Sequence, residues 1–394
     1  MKANNRKGQA SLSSVFSKKG IRTFSPAFCR ALNGSASQIE ERLSKIGIAT
    51  CEELLSYEYT YGIEALATAT GLDKSKILMA VGASKKNAKK GIRSDFIRTG
   101  LFKANSHSKH SHDGKHSLAD GLEIFKDEIT LHRDEKLVSN TTQSPPKCVS
   151  LINQFMPPIR NQGGRGTCVV FATCALLEYE LARSGIRMGM DFSEQYHYWL
   201  CKEHDQINEE GTFPFISFSL CNAKGLIPKE IWSYIKTINK DNPRYHPPPD
   251  DVKDSIRFHP TKVFEAENSN NIDTIKRVLA DGHPVAIGIP VFDKWNDQPE
   301  TKLRGNYLMP LEGEKPAGYH CLVLAGYNDD LNLPSGGGEF LVRNSYGKQW
   351  GRLCRFGSGY GTLPYGYVKN YNYSAYWLDV DQSKVEKVIR GSIK

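Results

Sequence analysis

The chain has no CxxC pair among its nine cysteines, and no apolar run near the about 18 uncharged residues that would span a membrane. The cysteines are odd in number and irregularly spaced, which argues against a zinc ribbon or a disulfide framework. A reducing compartment is favoured, with most cysteines acting as small buried apolar groups. The opening stretch MKANNRKGQASLSSVFSKKG lacks the apolar core of a secretory signal. These absences predict a soluble, cytoplasmic protein with no membrane association. Acidic residues are scarce in one region only: residues 1–105 hold 18 Lys and Arg against 8 Asp and Glu, an excess that already accounts for the +9 of the whole chain. An acidic partner would meet that part first. The composition is otherwise globular, and 394 residues predict two or three folded units.

Residues 1–34 read as a flexible basic arm, with a short ordered piece expected near Phe24 to Leu32. Residues 35–103 read as a helical module. Ser37 with Glu40 forms an expected capping box for a helix carrying Ile39, Leu43 and Ile46, which Gly47 stops. Thr50 with Glu53 opens a second helix, and Gly62 to Thr70 followed by Gly71 makes a third. Asp73 is expected to cap a fourth, carrying Ile77, Leu78 and Val81. If that helix continued, Lys85, Lys86, Lys89, Lys90 and Arg93 would share an arc of roughly 140°. Such an arc is either a solvated face or a contact for a protein or nucleic-acid partner. Residues 104–144 are rich in Ser and His and read as a linker or restraining segment; His107, His110, His112 and His116 lack the scaffold a metal site needs. Residues 145–382 form the remaining domain, and 383–394 a tail.

The richest stretch is RNQGGRGTCVVFATCALLEYELARSG. After a Gly-rich loop, Cys168 opens an apolar run to Gly185 with the length of a helix of about four turns. A helix N-terminus favours negative charge, so Cys168 is expected to have a lowered thiol pKa and to act as a nucleophile. Amide hydrolysis further needs a general acid and donors for the oxyanion. Gln162, on the loop before Cys168, is the candidate donor. His320 is expected to begin a buried strand in GYHCLVLAGYN, and Asn344 ends another in EFLVRNSYGKQWG, where its oxygen can accept the imidazole N–H. Taken singly, these read as a core Cys, a structural His and a turn Asn. Their joint order and local contexts point to one site. Cys174, roughly 240° around the helix from Cys168, reads as core, as do Cys201, Cys221, Cys321 and Cys354.

Asn161, Gln162, Gly163, Cys168, Phe171 and Ala172, together with His320 and with Asn344, Ser345, Gly347, Trp350 and Gly351, resemble the active-site segments of papain-like cysteine peptidases, in a cytosolic, bacterial-type form. The resemblance runs from Pro146 to Leu378. It implies an α+β catalytic domain of two lobes, one helical and one an antiparallel sheet, preceded by a small all-α domain. It also implies catalysis by Cys168, His320, Asn344 and Gln162 on a protein or peptide substrate, without a cofactor or metal. Gly211, Thr212, Tyr346 and Trp350 would bind substrate, the first two by backbone N–H and C=O groups. Three positions depart from the family pattern: Arg165 replaces the disulfide cysteine of extracellular members, Val169 an aromatic residue, and Tyr346 a Trp. Within the module, IEERLSKIGIATCEELL and LATATGLDKSKILMAV resemble helix-hairpin-helix units, with Ala49 in place of a second Gly. The same catalytic residues would also serve an isopeptidase, acyl transferase or ligase, and an inactive binding scaffold is a third reading.

Overall fold

The structure, a computed structural model, describes residues 24, 28, 31–32, 35–89, 132–133, 144–186, 190–205, 210–237, 246–292 and 300–383. The chain divides into two compact units, residues 1–92 and 93–394. Lys90, Arg93, His107, His110, His112 and His116 lie outside the described residues.

In the first unit, helix α1 (Ala36–Lys45) buries Ile39 and Leu43. Its end is set by Gly47 at φ 84°: the Gly47 N–H donates to Ser44 O and the Ile48 N–H to Leu43 O, so two terminal carbonyls are satisfied. The expected Ser37 box does not form. The helix already begins at Ala36, and Ser35 before it is near-helical and makes no side-chain cap. Helix α2 (Cys51–Thr70) is capped as expected, with Thr50 Oγ1 accepting from the Glu53 N–H and Glu53 accepting from the Ala49 N–H. Non-helical Gly62, at φ 84°, kinks it into the two predicted helices. Helix α3 (Lys74–Asn87) buries Ile77, Ala80 and Val81, but Leu78 points outward and Asp73 makes no capping bond. The chain turns extended at Ala88, so Lys89 falls beyond the helix, and of the expected basic arc only Lys85 and Lys86 lie on α3 among the described residues. Phe24, Phe28 and Leu32 are buried, with the two rings stacked 4.2 Å apart.

The second unit is a helical layer against an antiparallel sheet. The helical layer holds α4 (Cys168–Arg183), α5 (Glu194–Asp205) and α6 (Pro214–Lys224), and two shorter helices, α7 (Ile272–Ala280) and α8 (Tyr365–Tyr371), follow later in the chain. Its strands are β1 (His132–Arg133), β2 (Cys148–Ser150), β3 (Lys262–Glu265), β4 (Val285–Phe292), β5 (Pro316–Leu333), β6 (Gly337–Arg343), β7 (Tyr360–Pro364) and β8 (Ser374–Asp379). The order is β1-β3-β8-β4-β5-β6-β7, with β2 on β5, and every pair but β1–β3 is antiparallel. β1 comes from the segment expected to be a linker and adds to the sheet edge beside Phe264 and Glu265. β2 can close on β5 only because residue 326 is Gly; a Cβ there would lie 2.2 Å from Val149 O.

Helix α4 lies between the layers, and every residue from Cys168 to Leu181 is buried. Cys168, Ala172, Cys174 and Leu176 pack with Val263, Ala286, Cys321, Val323 and Tyr376 of the sheet, whereas Val170 and Phe171 pack with Tyr196, Tyr198 and Leu220 of α5 and α6. A helix buried on all sides is mostly apolar, and its few polar groups must find partners inside. Its three helices are pinned by a buried polar chain, in which Thr173 Oγ1 meets Ser217 Oγ at 2.7 Å and Ser217 Oγ meets His197 Nε2 at 2.8 Å. The described cysteines are all free, and among the described residues no helix is long and apolar enough to cross a membrane.

Burial pushes His197 down to about 3, so the folded protein holds it neutral while the unfolded chain protonates it near 6.5. Between these values the unfolded state binds more protons, and stability falls as pH falls. Glu178, raised by burial to about 7, acts in the opposite sense between about 4.5 and 7. Urea midpoints from pH 7 to pH 4 should therefore decline less steeply for His197→Gln than for the parent chain; equal slopes would contradict the assignment.

Candidate active site

The loop before α4 is stitched to the end of β6. The Gln162 N–H donates to Ser345 O at 2.8 Å and the Gly347 N–H to Arg160 O at 3.0 Å, making an antiparallel bridge between Asn161 and Tyr346. Arg160 anchors this loop from below, pairing with Glu178 of α4 at 2.8 Å, Glu194 of α5 at 2.8 Å and Asp191 at 2.6 Å. The loop passes close to Gly211: a Cβ on Gly166 would lie 2.7 Å from the Gly211 nitrogen, which is why residue 166 is glycine.

Cys168 is the first residue of α4 and is 9% exposed. Thr167 holds the capping position, but its hydroxyl pairs with Tyr234 at 2.7 Å and leaves the first-turn N–H groups uncapped. The Cys168 sulfur accepts from the Cys321 N–H at 3.4 Å, which brings β5 and its His320 to the head of α4. His320 lies within β5 rather than at its start, at the point where the strand becomes buried. Its Nε2 meets Asn344 Oδ1 at 2.8 Å. That oxygen also accepts from the Ser345 N–H at 2.8 Å, and Asn344 Nδ2 donates to Tyr307 Oη at 3.0 Å, so the amide is fixed with its oxygen toward the imidazole. Gln162 is buried; its Oε1 accepts from Ser345 Oγ at 2.5 Å, and Nε2 gives one hydrogen to Arg165 O at 2.7 Å, leaving the second for a ligand.

The structure thus brings Cys168, His320, Asn344 and Gln162 together. The charge state differs from the helix-terminus expectation. Burial pushes the Cys168 thiol up, and the N–H groups of Cys321, Val169 and Cys168 oppose it without cancelling it. Burial likewise pushes His320 down to about 4, against the Asn344 hydrogen bond. Burial thus opposes, on the thiol, the lowering expected at a helix N-terminus.

The expected substrate groups are placed differently. Gly211 is already engaged: its N–H donates to Tyr198 Oη at 3.1 Å and its carbonyl accepts from buried Lys202 at 2.9 Å. Thr212, half-buried, makes no backbone hydrogen bond among the described residues. Tyr346 stacks on His320 at 4.7 Å. Trp350 is buried against Tyr307 and Tyr346, so it reaches the cleft only through Tyr346.

Sequence reasoning missed Arg160, Glu210 and Tyr307. Glu210 binds Arg165 Nε at 3.2 Å and the Gly166 N–H at 3.0 Å, while Arg165 also reaches Gln195 and Ile235 O and lies over the Tyr198 ring. A buried cation here ties the Gln162–Cys168 loop to the Gly211 loop. The only advance hint was the adjacency of Glu210 to Gly211.

A family profile described as papain family cysteine protease matches residues 149–370, more than half of the chain. This chain belongs to that family. The chain is 33% identical over 110 residues to an uncharacterized peptidase C1-like protein of Acanthamoeba polyphaga mimivirus, a match spanning 28% of this chain and 32% of that relative. It is similar in fold to xylellain, a cysteine protease from Xylella fastidiosa, with a TM-score of 0.53, 20% identity, and coverage of 65% of this chain and 92% of that one. The papain-like α+β fold is therefore established.

Gln162→Ala should lower kcat by roughly 10²- to 10³-fold, the usual loss for one oxyanion donor. Glu210→Ala, which removes the carboxylate bound to Arg165 Nε and the Gly166 N–H, should lower kcat through loop disorder while leaving the thiol in place. Steady-state kinetics on a casein substrate with active-site titration would check both, and an unchanged Gln162→Ala rate would remove that amide from the oxyanion hole.

Proposed function

We propose that the chain is a cysteine peptidase that cleaves peptide bonds through a thioester on Cys168. The observation that carries this reading is the buried hydrogen-bonded line His320–Asn344–Tyr307 set against the sulfur at the head of α4. In the proposed reaction the Cys168 proton moves to His320 Nδ1 as the sulfur attacks the carbonyl carbon, so both charges appear together. Asn344 Oδ1 steadies the imidazolium through Nε2–H. The free hydrogen on Gln162 Nε2 and the Cys168 N–H receive the oxyanion. His320 then gives its proton to the leaving amine, and water, deprotonated by the same imidazole, hydrolyses the thioester.

The substrate is a protein or peptide in extended form. Because Gly211 is engaged internally, Thr212 is the backbone position that supports pairing with a substrate strand. The helical module is proposed as a recognition or regulatory unit. A protein partner is favoured over nucleic acid, because the basic arc is broken after Asn87 while Leu78 and Met79 of α3 are exposed. No observation favours ligase or isopeptidase chemistry over hydrolysis.

A peptide epoxide mapped by mass spectrometry should give a single adduct on Cys168, and Cys168→Ala should abolish casein turnover. Absence of an adduct at Cys168 in folded protein would end the peptidase reading. Products formed with added glycine amide should stay hydrolytic; an amide product would shift the reading toward acyl transfer.

A further inference from the structure

The two proposed oxyanion donors, Gln162 and the Cys168 N–H, stand at opposite ends of one loop, and a single hydroxyl from outside that loop is bonded at both ends. Tyr234 Oη donates to Gln162 O at 2.8 Å and meets Thr167 Oγ1 at 2.7 Å. A phenol has one hydrogen, and here the carbonyl takes it, so Thr167 donates to Tyr234. Burial raises the phenol to about 12 and keeps that hydrogen in place. The Tyr234 ring packs edge-on against Phe171, in the first turn of α4, at 4.9 Å, and the Arg165 guanidinium lies 5.7 Å from its centre. The hydroxyl is thus anchored to the helix whose head it addresses.

Thr167 holds the capping position of α4, where a threonine ordinarily has an extended backbone and accepts from a first-turn N–H. Its backbone instead lies at φ −105° and ψ 12°, and it makes no capping bond. A capping conformation would turn the Thr167–Cys168 peptide, and the Cys168 N–H with it, by roughly 120°. At the other end of the loop, the Gln162 N–H is held by Ser345 O and its side chain by Ser345 Oγ and Arg165 O. Tyr234 takes the Gln162 carbonyl, the remaining polar group of that residue's backbone.

We infer that Tyr234 is a positioning residue for the oxyanion hole, aiming the Cys168 N–H through Thr167 and the Gln162 amide through the Gln162 carbonyl. It acts through these two residues and not on the reacting atoms. The negative oxygen it prepares for exists only in the transition state, so a misaimed donor lowers kcat rather than raising KM. The inference rests on the peptidase reading.

Tyr234→Phe removes the hydroxyl and keeps the ring against Phe171. Kinetics on casein, expressed per site titrated with a peptide epoxide, should show kcat lowered about 10-fold, less than the loss of a direct donor, with KM nearly unchanged. Thr167→Val should lower kcat in the same way, while Thr167→Ser, which keeps the hydroxyl, should hold the parent rate. A merely structural role predicts fewer titratable sites with the parent kcat at each, and that result overturns the inference. So does a Thr167→Ser chain as slow as Thr167→Val, or a Tyr234→Phe chain in which KM rises and kcat holds. A parent chain without Cys168-dependent turnover overturns the peptidase reading and this inference with it, whereas an active parent matched by Tyr234→Phe overturns this inference alone.

Discussion

The antiparallel bridge between Asn161 and Tyr346 is the constraint on which the site depends. The two segments are far apart in sequence, yet the bond from Gln162 N–H to Ser345 O puts Gln162, the proposed oxyanion donor, beside the residue following Asn344. Ser345 then serves twice, its hydroxyl orienting Gln162 and its N–H orienting Asn344. One short backbone pairing thus sets both the donor side and the imidazole side. A shift of one residue would turn Ser345 away from Gln162, because neighbouring positions on an extended chain face opposite ways.

Holding that bridge takes more than backbone bonds. Arg160 sits under it with three carboxylates, and Arg343 of β6 adds a second buried cation that donates to Pro158 O at 2.8 Å. Burial raises Glu178 to about 7 and lowers Arg343, as expected for charges taken out of water. Breaking such a buried pair costs about 3–5 kcal/mol, because the partner is left uncompensated. The arrangement is therefore better understood as fixing one geometry than as adding net stability. The Arg165–Glu210 pair does the same on the other side, joining the loop to Gly211 with a buried cation.

How much of this was legible in the sequence depended on range. Cys168, His320, Asn344 and Gln162 were legible jointly, from a glycine-rich loop before an apolar helix and from apolar runs flanked by a polar residue, in the order Cys, His, Asn. The helix ends at Gly47, Gly62 and Gly71 were legible for the same reason, since positive φ there needs glycine. Ser37 was misread because an earlier turn runs into α1, and the basic arc because α3 stops at Asn87. The bond from Lys202 to the Gly211 carbonyl was not legible, because a lysine in sequence looks like surface rather than a fully buried donor. Tyr307 had no signal at all. Its role exists only once a distant loop sets its hydroxyl against Asn344.

The low pKa of His320 and the high pKa of Cys168 share one cause, and this changes how the site should be understood. An ion made alone on either group would have to be desolvated with no counter-charge, which burial forbids. Ions made as a pair cancel much of that cost through their mutual attraction and through donors already in place: the Cys321 N–H at the sulfur, the first-turn N–H groups of α4, and Asn344 at the imidazole. The dry cleft therefore does not oppose the chemistry. It holds the sulfur and the imidazole where, in the proposed reaction, one proton passes between them and both charges appear together.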